Sequence, residues 1–239
     1  MTQTIIQRAF APFKAHLPLW VSGPMRSVAT AVLTPILFSY RTGHFLSSFK
    51  MAAVSRKGEP LPWYTYPCID FLTYRSYEDK AVLEFGGGQS TLWWAKRAKH
   101  VVTLEGDSQW YERIKSRMPT NVDLHYVSMR SPLECVVAVE GILRSVKDSM
   151  FDVIVIDGLA RSEMIGIARR LLAEGGMIVC DDAEGYGFYE GFKDSGLSRV
   201  DFFGYAPGGV RPHATSIFFG SNSFAFSSRH PIPVTANDT

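Results

Sequence analysis

The chain of 239 residues is 46% hydrophobic and 20% charged, which fits one sizeable α/β domain plus an extension. A net charge of +2, with no run of lysines and arginines, gives no electrostatic case for binding a nucleic-acid backbone. Cys68, Cys135 and Cys180 are scattered in apolar settings without zinc-ligand spacing, so they read as reduced core thiols of a cytoplasmic protein.

Residues 1–57 differ in character from the rest of the chain and are expected to form an apolar, helical extension. No cleavable signal is expected, because Lys14, His16 and Pro18 interrupt the first apolar cluster. Val28 to Tyr40 is the longest uncharged apolar run; Pro35 breaks it, Arg26 and Arg41 bound it, and it is too short to span a bilayer. Two readings remain. The favoured one is a helix packed on the domain or on a second copy of the chain; the other is an interfacial segment in peripheral contact with a membrane.

The segment Lys57 to Pro67 concentrates prolines and aromatics. Prolines stiffen it, so Trp63, Tyr64 and Tyr66 point in set directions and either line a cleft or plug the domain edge. A short helix is expected from Cys68 to Leu72.

From residue 81 onward strands and helices alternate. Ala81 to Phe85 reads as a buried strand, Gly86 to Gly88 as a turn and Ser90 to Ala98 as a helix; Val101 to Leu104 is a second strand that ends at Glu105. Ser108 is placed as the cap of a helix with Trp110, Ile114 and Met118 on one face. Val122 to Val127 is the third strand. Ser131 to Glu134 forms a capping box, followed by Leu133, Val136, Val139, Leu143 and Val146 at helical spacing. Phe151 to Ile156 is the fourth strand, Ser162 to Ala173 a helix stopped by Glu174-Gly175-Gly176, and Met177 to Cys180 the fifth strand. After a helix around Tyr186 to Ser195, Arg199 to Phe203 and Thr215 to Phe219 are strands with no helix between them, hence antiparallel.

The expected architecture is a Rossmann-like, doubly wound seven-stranded sheet, mostly parallel with a terminal antiparallel strand. The domain spans residues 58–221, and a loose tail covers 222–239.

In such a sheet, ligands bind beyond the carboxyl ends of the strands. A glycine turn that opens a helix offers backbone N–H groups to a polar ligand, and Glu105 is placed to accept from the hydroxyls of a ribose. Thr91 stands where a dinucleotide fingerprint has its third glycine, and Glu84 would repel a pyrophosphate but suit an ammonium group. The pattern Glu84-x-Gly86-x-Gly88, followed by Glu105 at the next strand end, resembles the first two motifs of class I S-adenosylmethionine (SAM)-dependent methyltransferases. The resemblance covers about residues 80 to 220. It implies SAM as cofactor, with Glu84 near its methionine part, the glycines beneath it and Glu105 on its ribose. Gly87, Ser90, Gly106, Ser128, Asp157 and Tyr66 complete the expected cofactor lining.

Asp157, Asp182 and His213 are the candidate catalytic groups, for methyl positioning and as general base; Arg161, Asp181 and Trp63 are candidates for binding the acceptor. Asp157, Asp181 and Asp182 also resemble the metal-binding acids of catechol-type O-methyltransferases. Asp182 stands where that family has Asn, so magnesium is the disfavoured reading. The implied activity is O- or N-methylation of a small molecule, lipid or glycan. A nicotinamide-dependent oxidoreductase and a non-catalytic SAM-binding module are the alternatives.

Overall fold

The computed structural model describes residues 18–128, 131–146 and 150–231. It divides into two compact units, Met1–Arg41 and Thr42–Thr239. In the first, the described residues form one helix, α1 (Leu19–Thr42). It runs through Pro24 and Pro35, against the expectation that Pro35 breaks it. A helix proline removes one hydrogen bond and crowds one carbonyl, and the turns on either side carry on. The uninterrupted helix is therefore long and apolar enough to cross a membrane by length and composition, which the apolar run read alone was not.

The second unit begins with α2 (His44–Lys50) and α3 (Tyr66–Thr73). The alternating part comprises β1 (Ala81–Phe85), α4 (Gln89–Ala95), β2 (His100–Glu105), α5 (Ser108–Lys115), β3 (Val122–Tyr126), α6 (Pro132–Leu143), β4 (Phe151–Ile156), α7 (Arg161–Leu171), β5 (Leu172–Cys180), α8 (Phe188–Phe192), β6 (Ser198–Gly204) and β7 (His213–Phe219). The seven strands form one sheet of order β3-β2-β1-β4-β5-β7-β6. The first five are parallel, and β7 runs antiparallel between β5 and β6.

Strand alternation sends side chains to two apolar layers. On one face Leu83, Phe85, Ile154 and Ile156 pack with Cys135, Val139, Met164, Ala168 and Phe188. On the other Val82, Val153 and Val155 pack with Cys68, Leu72, Trp93 and Trp94. Glu84 shares strand parity with Val82 and so points to the side of the second layer, where it is fully buried.

Four local expectations change. Helix α5 is capped by Asp107, whose carboxylate accepts from Trp110 N at 2.8 Å, rather than by Ser108. Leu133 is 74% exposed, because α6 turns Cys135 and Val139 inward. Helix α7 ends at Leu171 and β5 starts at once; Phe151 pairs with Leu172 but Val153 with Met177, so Ala173 to Gly176 bulge from the ladder. Phe224 to Phe226, placed by the sequence in the loose tail, form a 3-10 turn in which Phe226 stacks on Phe219 at 3.7 Å. Arg75 Nε also donates to Ala225 O at 3.0 Å.

Gly86 sits where β1 and β4 part. Its φ is +103°, and a Cβ there would lie 2.3 Å from Asp157 O and 2.9 Å from Gly158 Cα. The β1 and β4 loops thus touch backbone to backbone, and this glycine is required by the fold itself. Gly88 differs: its φ of 173° is ordinary extended backbone, and the nearest atom to an added Cβ is in the Trp110 ring at 3.8 Å. Gly86→Ala is expected to lower unfolding free energy by about 2–3 kcal/mol, measured by urea denaturation; a change under about 0.5 kcal/mol would contradict the packing role.

Candidate functional site

The carboxyl ends of β1, β2, β4 and β5, with the amino end of β7, gather the polar residues at one edge of the sheet. Glu84 is fully buried. Its Oε2 accepts from the Thr91 hydroxyl and, at 3.0 Å, from the Thr103 hydroxyl. Thr91 in turn accepts from Gly88 N at 2.9 Å. The residue that replaces the third fingerprint glycine therefore ties the carboxylate to the glycine turn. Glu84 Oε1 is buried without a hydrogen bond of good geometry. Burial raises this carboxyl to about 7, while the hydroxyls of Ser90, Thr91 and Thr103 work against that rise.

At the tip of β2, Glu105 accepts from Gly87 N at 2.8 Å through Oε2 and from Asp107 N at 2.7 Å through Oε1. Each oxygen keeps a lone pair, so the side chain is fixed and can still accept from a ligand. Gly106 lies in the turn between Glu105 and Asp107. Trp110, which its sequence spacing marks only as a core-face residue, donates from its indole nitrogen to Gly87 O at 2.7 Å and stands over the glycine turn. No spacing rule could have placed it there, because the contact joins two segments distant in the chain.

A cleft of about 220 Å³ opens above this turn, lined by Leu61, Trp63, the three glycines, Gln89, Ser90, Trp110, Asp157 and Arg161. Helix α4 beneath it has only seven residues, so its end field is smaller than the expected longer helix would supply. Tyr66 stands elsewhere. Its backbone N–H donates to Tyr205 O at 2.8 Å, and its ring lies 6.0 Å from that of His44, so it is not among the lining residues. Ser128, just after β3, is half-buried and likewise outside the lining, and Glu84, Glu105, Gly106, Asp181, Asp182 and His213 stand behind or beside the lining residues rather than among them.

The acids beyond β4 and β5 are divided between Arg161 and His213. Arg161 donates to Asp157 Oδ1 at 3.1 Å, to Asp182 Oδ2 at 3.0 Å and to Asp181 O at 2.7 Å, with its guanidinium 4.6 Å from the Tyr186 ring centroid. A cation at the start of a helix is unfavourable, and this ring of acceptors is what holds it. Asp181 accepts from the Thr215 hydroxyl at 2.7 Å and lies 3.3 Å from His213 Nε2. Burial pushes Asp157 and Asp181 above the usual carboxylate range; Arg161 opposes this at Asp157, and His213 and Thr215 oppose it at Asp181. The Asp181 contact raises His213, against the effect of its own burial.

Donor atoms of Asp181, Asp182 and His213 lie within 4.8 Å of one another. A cation there would compete with Arg161 for Asp182 and with His213 for Asp181. The donors fit a metal poorly while those bonds stand.

No family model matches the sequence, and no curated protein matches it significantly. Among solved structures, precorrin-6Y C5,15-methyltransferase from Geobacter metallireducens GS-15 is 18% identical, with a TM-score of 0.51 over 73% of this chain and 96% of that one. A methyltransferase from Pyrococcus furiosus is 19% identical, at 0.47 over 77% and 99%. The N-methyltransferase NodS from Bradyrhizobium japonicum WM9, solved with S-adenosyl-L-homocysteine, is 16% identical, at 0.41 over 59% and 78%. The sheet and its covering helices are those of the class I methyltransferase fold.

Proposed function

We propose that the domain is a SAM-dependent methyltransferase that acts on a hydroxyl or amine of a small-molecule, lipid or glycan acceptor. The observation that carries this reading is the buried Glu84 carboxylate, fastened by Thr91 to a glycine turn that lies under an open cleft. The fold, shared with a precorrin methyltransferase, supports it. A ligand's ammonium group lying against the turn would be favoured by the field of that buried carboxyl, which Thr91 and Thr103 hold in place behind it. The extended Gly88 lets a ligand lie against backbone, and Glu105 offers its remaining lone pairs to a ribose.

SAM would supply an activated methyl group, so the protein's share of the work is alignment and acceptor deprotonation. Asp181 holds His213 as a base and favours its protonated form once it has taken a proton. Arg161 keeps Asp157 fixed at the cleft wall. A nicotinamide cofactor is disfavoured, because the place of the third fingerprint glycine is taken by Thr91, whose hydroxyl is engaged with Glu84.

Gly88→Val leaves thermal stability unchanged and weakens SAM binding at least about tenfold, or 1.4 kcal/mol, by calorimetry. Unchanged affinity in a folded variant would exclude the glycine turn from the cofactor site.

The sign of the Glu84 effect is set by its raised folded-state value. Its contribution to stability is fully present below the ordinary 4.5 and is lost as pH rises through about 7, a span on the order of 3 kcal/mol. Glu84→Gln should therefore raise the Tm of the ligand-free protein more at pH 8 than at pH 5, read by scanning calorimetry. An equal shift at both pH values would mean that Glu84 does not titrate in that window.

His213→Asn should lower kcat by roughly 10²–10⁴ and remove the limb of the pH–rate profile that titrates above 6.5. Asp181→Asn should move that limb to lower pH. A profile unchanged in both variants would exclude the pair as the base.

A further inference from the structure

All 23 acidic residues of the chain lie after residue 58, while the 58 residues before them hold seven lysines and arginines. That leading segment carries +7 and the remainder −5. Within the segment, α1 has 24 residues, about 36 Å at 1.5 Å per residue, against a hydrocarbon thickness of roughly 30 Å. Trp20 and Tyr40 are twenty residues apart, about 30 Å along the axis, as aromatics at the two interfaces of a bilayer would be.

Apolar side chains go most of the way round this helix. At 100° per residue Val28, Val32 and Ile36 cover one side, Leu33 and Leu37 the next, and Ala31 with Phe38 most of the rest. A helix that is apolar all round needs cover on every side, and α1 is the one helix among the described residues of its unit. The polar residues of its middle are serines and threonines. Ser27 Oγ donates to Gly23 O at 3.2 Å, so its hydroxyl is satisfied within the helix. Arg26 lies about 9 Å along the axis from Trp20, near enough for its long side chain to reach the interface.

Beyond α1 the pattern continues. Arg41, Lys50, Arg56 and Lys57 fall at or within 15 residues of the end of the helix, the range in which basic residues fix membrane orientation. On α2, Phe45 and Phe49 are one turn apart and 70% and 78% exposed, and Met51 just beyond is 87% exposed. Exposed aromatics interleaved with lysine and arginine suit an anionic headgroup layer.

We propose that α1 crosses a lipid bilayer and that residues 43–57 rest on its anionic headgroups, which holds the domain at a membrane surface. The inference stands on the helix and the charge segregation, independently of methyl transfer.

The test is flotation of the full-length protein with phosphatidylcholine vesicles, with and without phosphatidylglycerol. The protein should float with both compositions and resist release by high salt and by alkaline carbonate. Val32→Arg/Ile36→Arg should cut the floated fraction at least about tenfold with the domain's Tm unchanged, while Val32→Leu/Ile36→Leu floats like the wild type. Lys50→Glu/Lys57→Glu should remove any preference for phosphatidylglycerol without abolishing flotation. Wild-type protein that stays in solution, is stripped by salt alone, or floats equally well with both arginines in place would overturn the proposal.

Discussion

A fully buried carboxylate is costly unless it is hydrogen-bonded, and in this chain the cost falls on Glu84. Two threonines from two different elements meet it, Thr91 on α4 and Thr103 on β2. Because Thr91 also takes the N–H of Gly88, the carboxylate, the glycine turn and the first turn of α4 form one hydrogen-bonded body. Glu105 secures the other side of the same turn through Gly87 N. Two acids thus shape a loop whose own residues have no side chains, and the cleft owes its form to them.

Across the cleft the problem is the opposite one, too many acids in a small space. Three aspartates stand at the ends of β4 and β5, and each is matched to a particular donor: Asp157 and Asp182 to Arg161, Asp181 to His213 and Thr215. The antiparallel β7 delivers His213 and Thr215 to the end of β5, so the reversal of the last strand is what completes this half of the site. A crossover helix and a further parallel strand in its place would have left Asp181 without either partner.

The two units meet different physical demands. Thr42–Thr239 buries its apolar residues on both faces of the sheet. Helix α1 is a single cylinder with apolar side chains in nearly every direction, and it comes from the part of the chain where all the charge has one sign. Charge segregation of this kind contributes nothing to a soluble core and matters only to surfaces the chain meets.

Strand and helix types, their order and the reversal of the last strand were legible in the sequence, because apolar runs of strand length and helical spacing are local patterns. Glu84, the glycine turn and Glu105 were legible for the same reason, as residues at fixed offsets from strand ends. Short-range competition among polar groups was not: Asp107 displaced Ser108 as a cap, and the continuity of α1 through Pro35 outweighed a residue-level rule. Contacts between loops were beyond any local pattern. That Gly86 is required by the backbone of Asp157, that Trp110 covers Gly87, that Arg161 is caught between acids and that Tyr66 turns away from the cleft were decided by tertiary structure alone. Each depends on segments far apart in the chain arriving at one edge of the sheet, and spacing along the sequence carries no record of that distance.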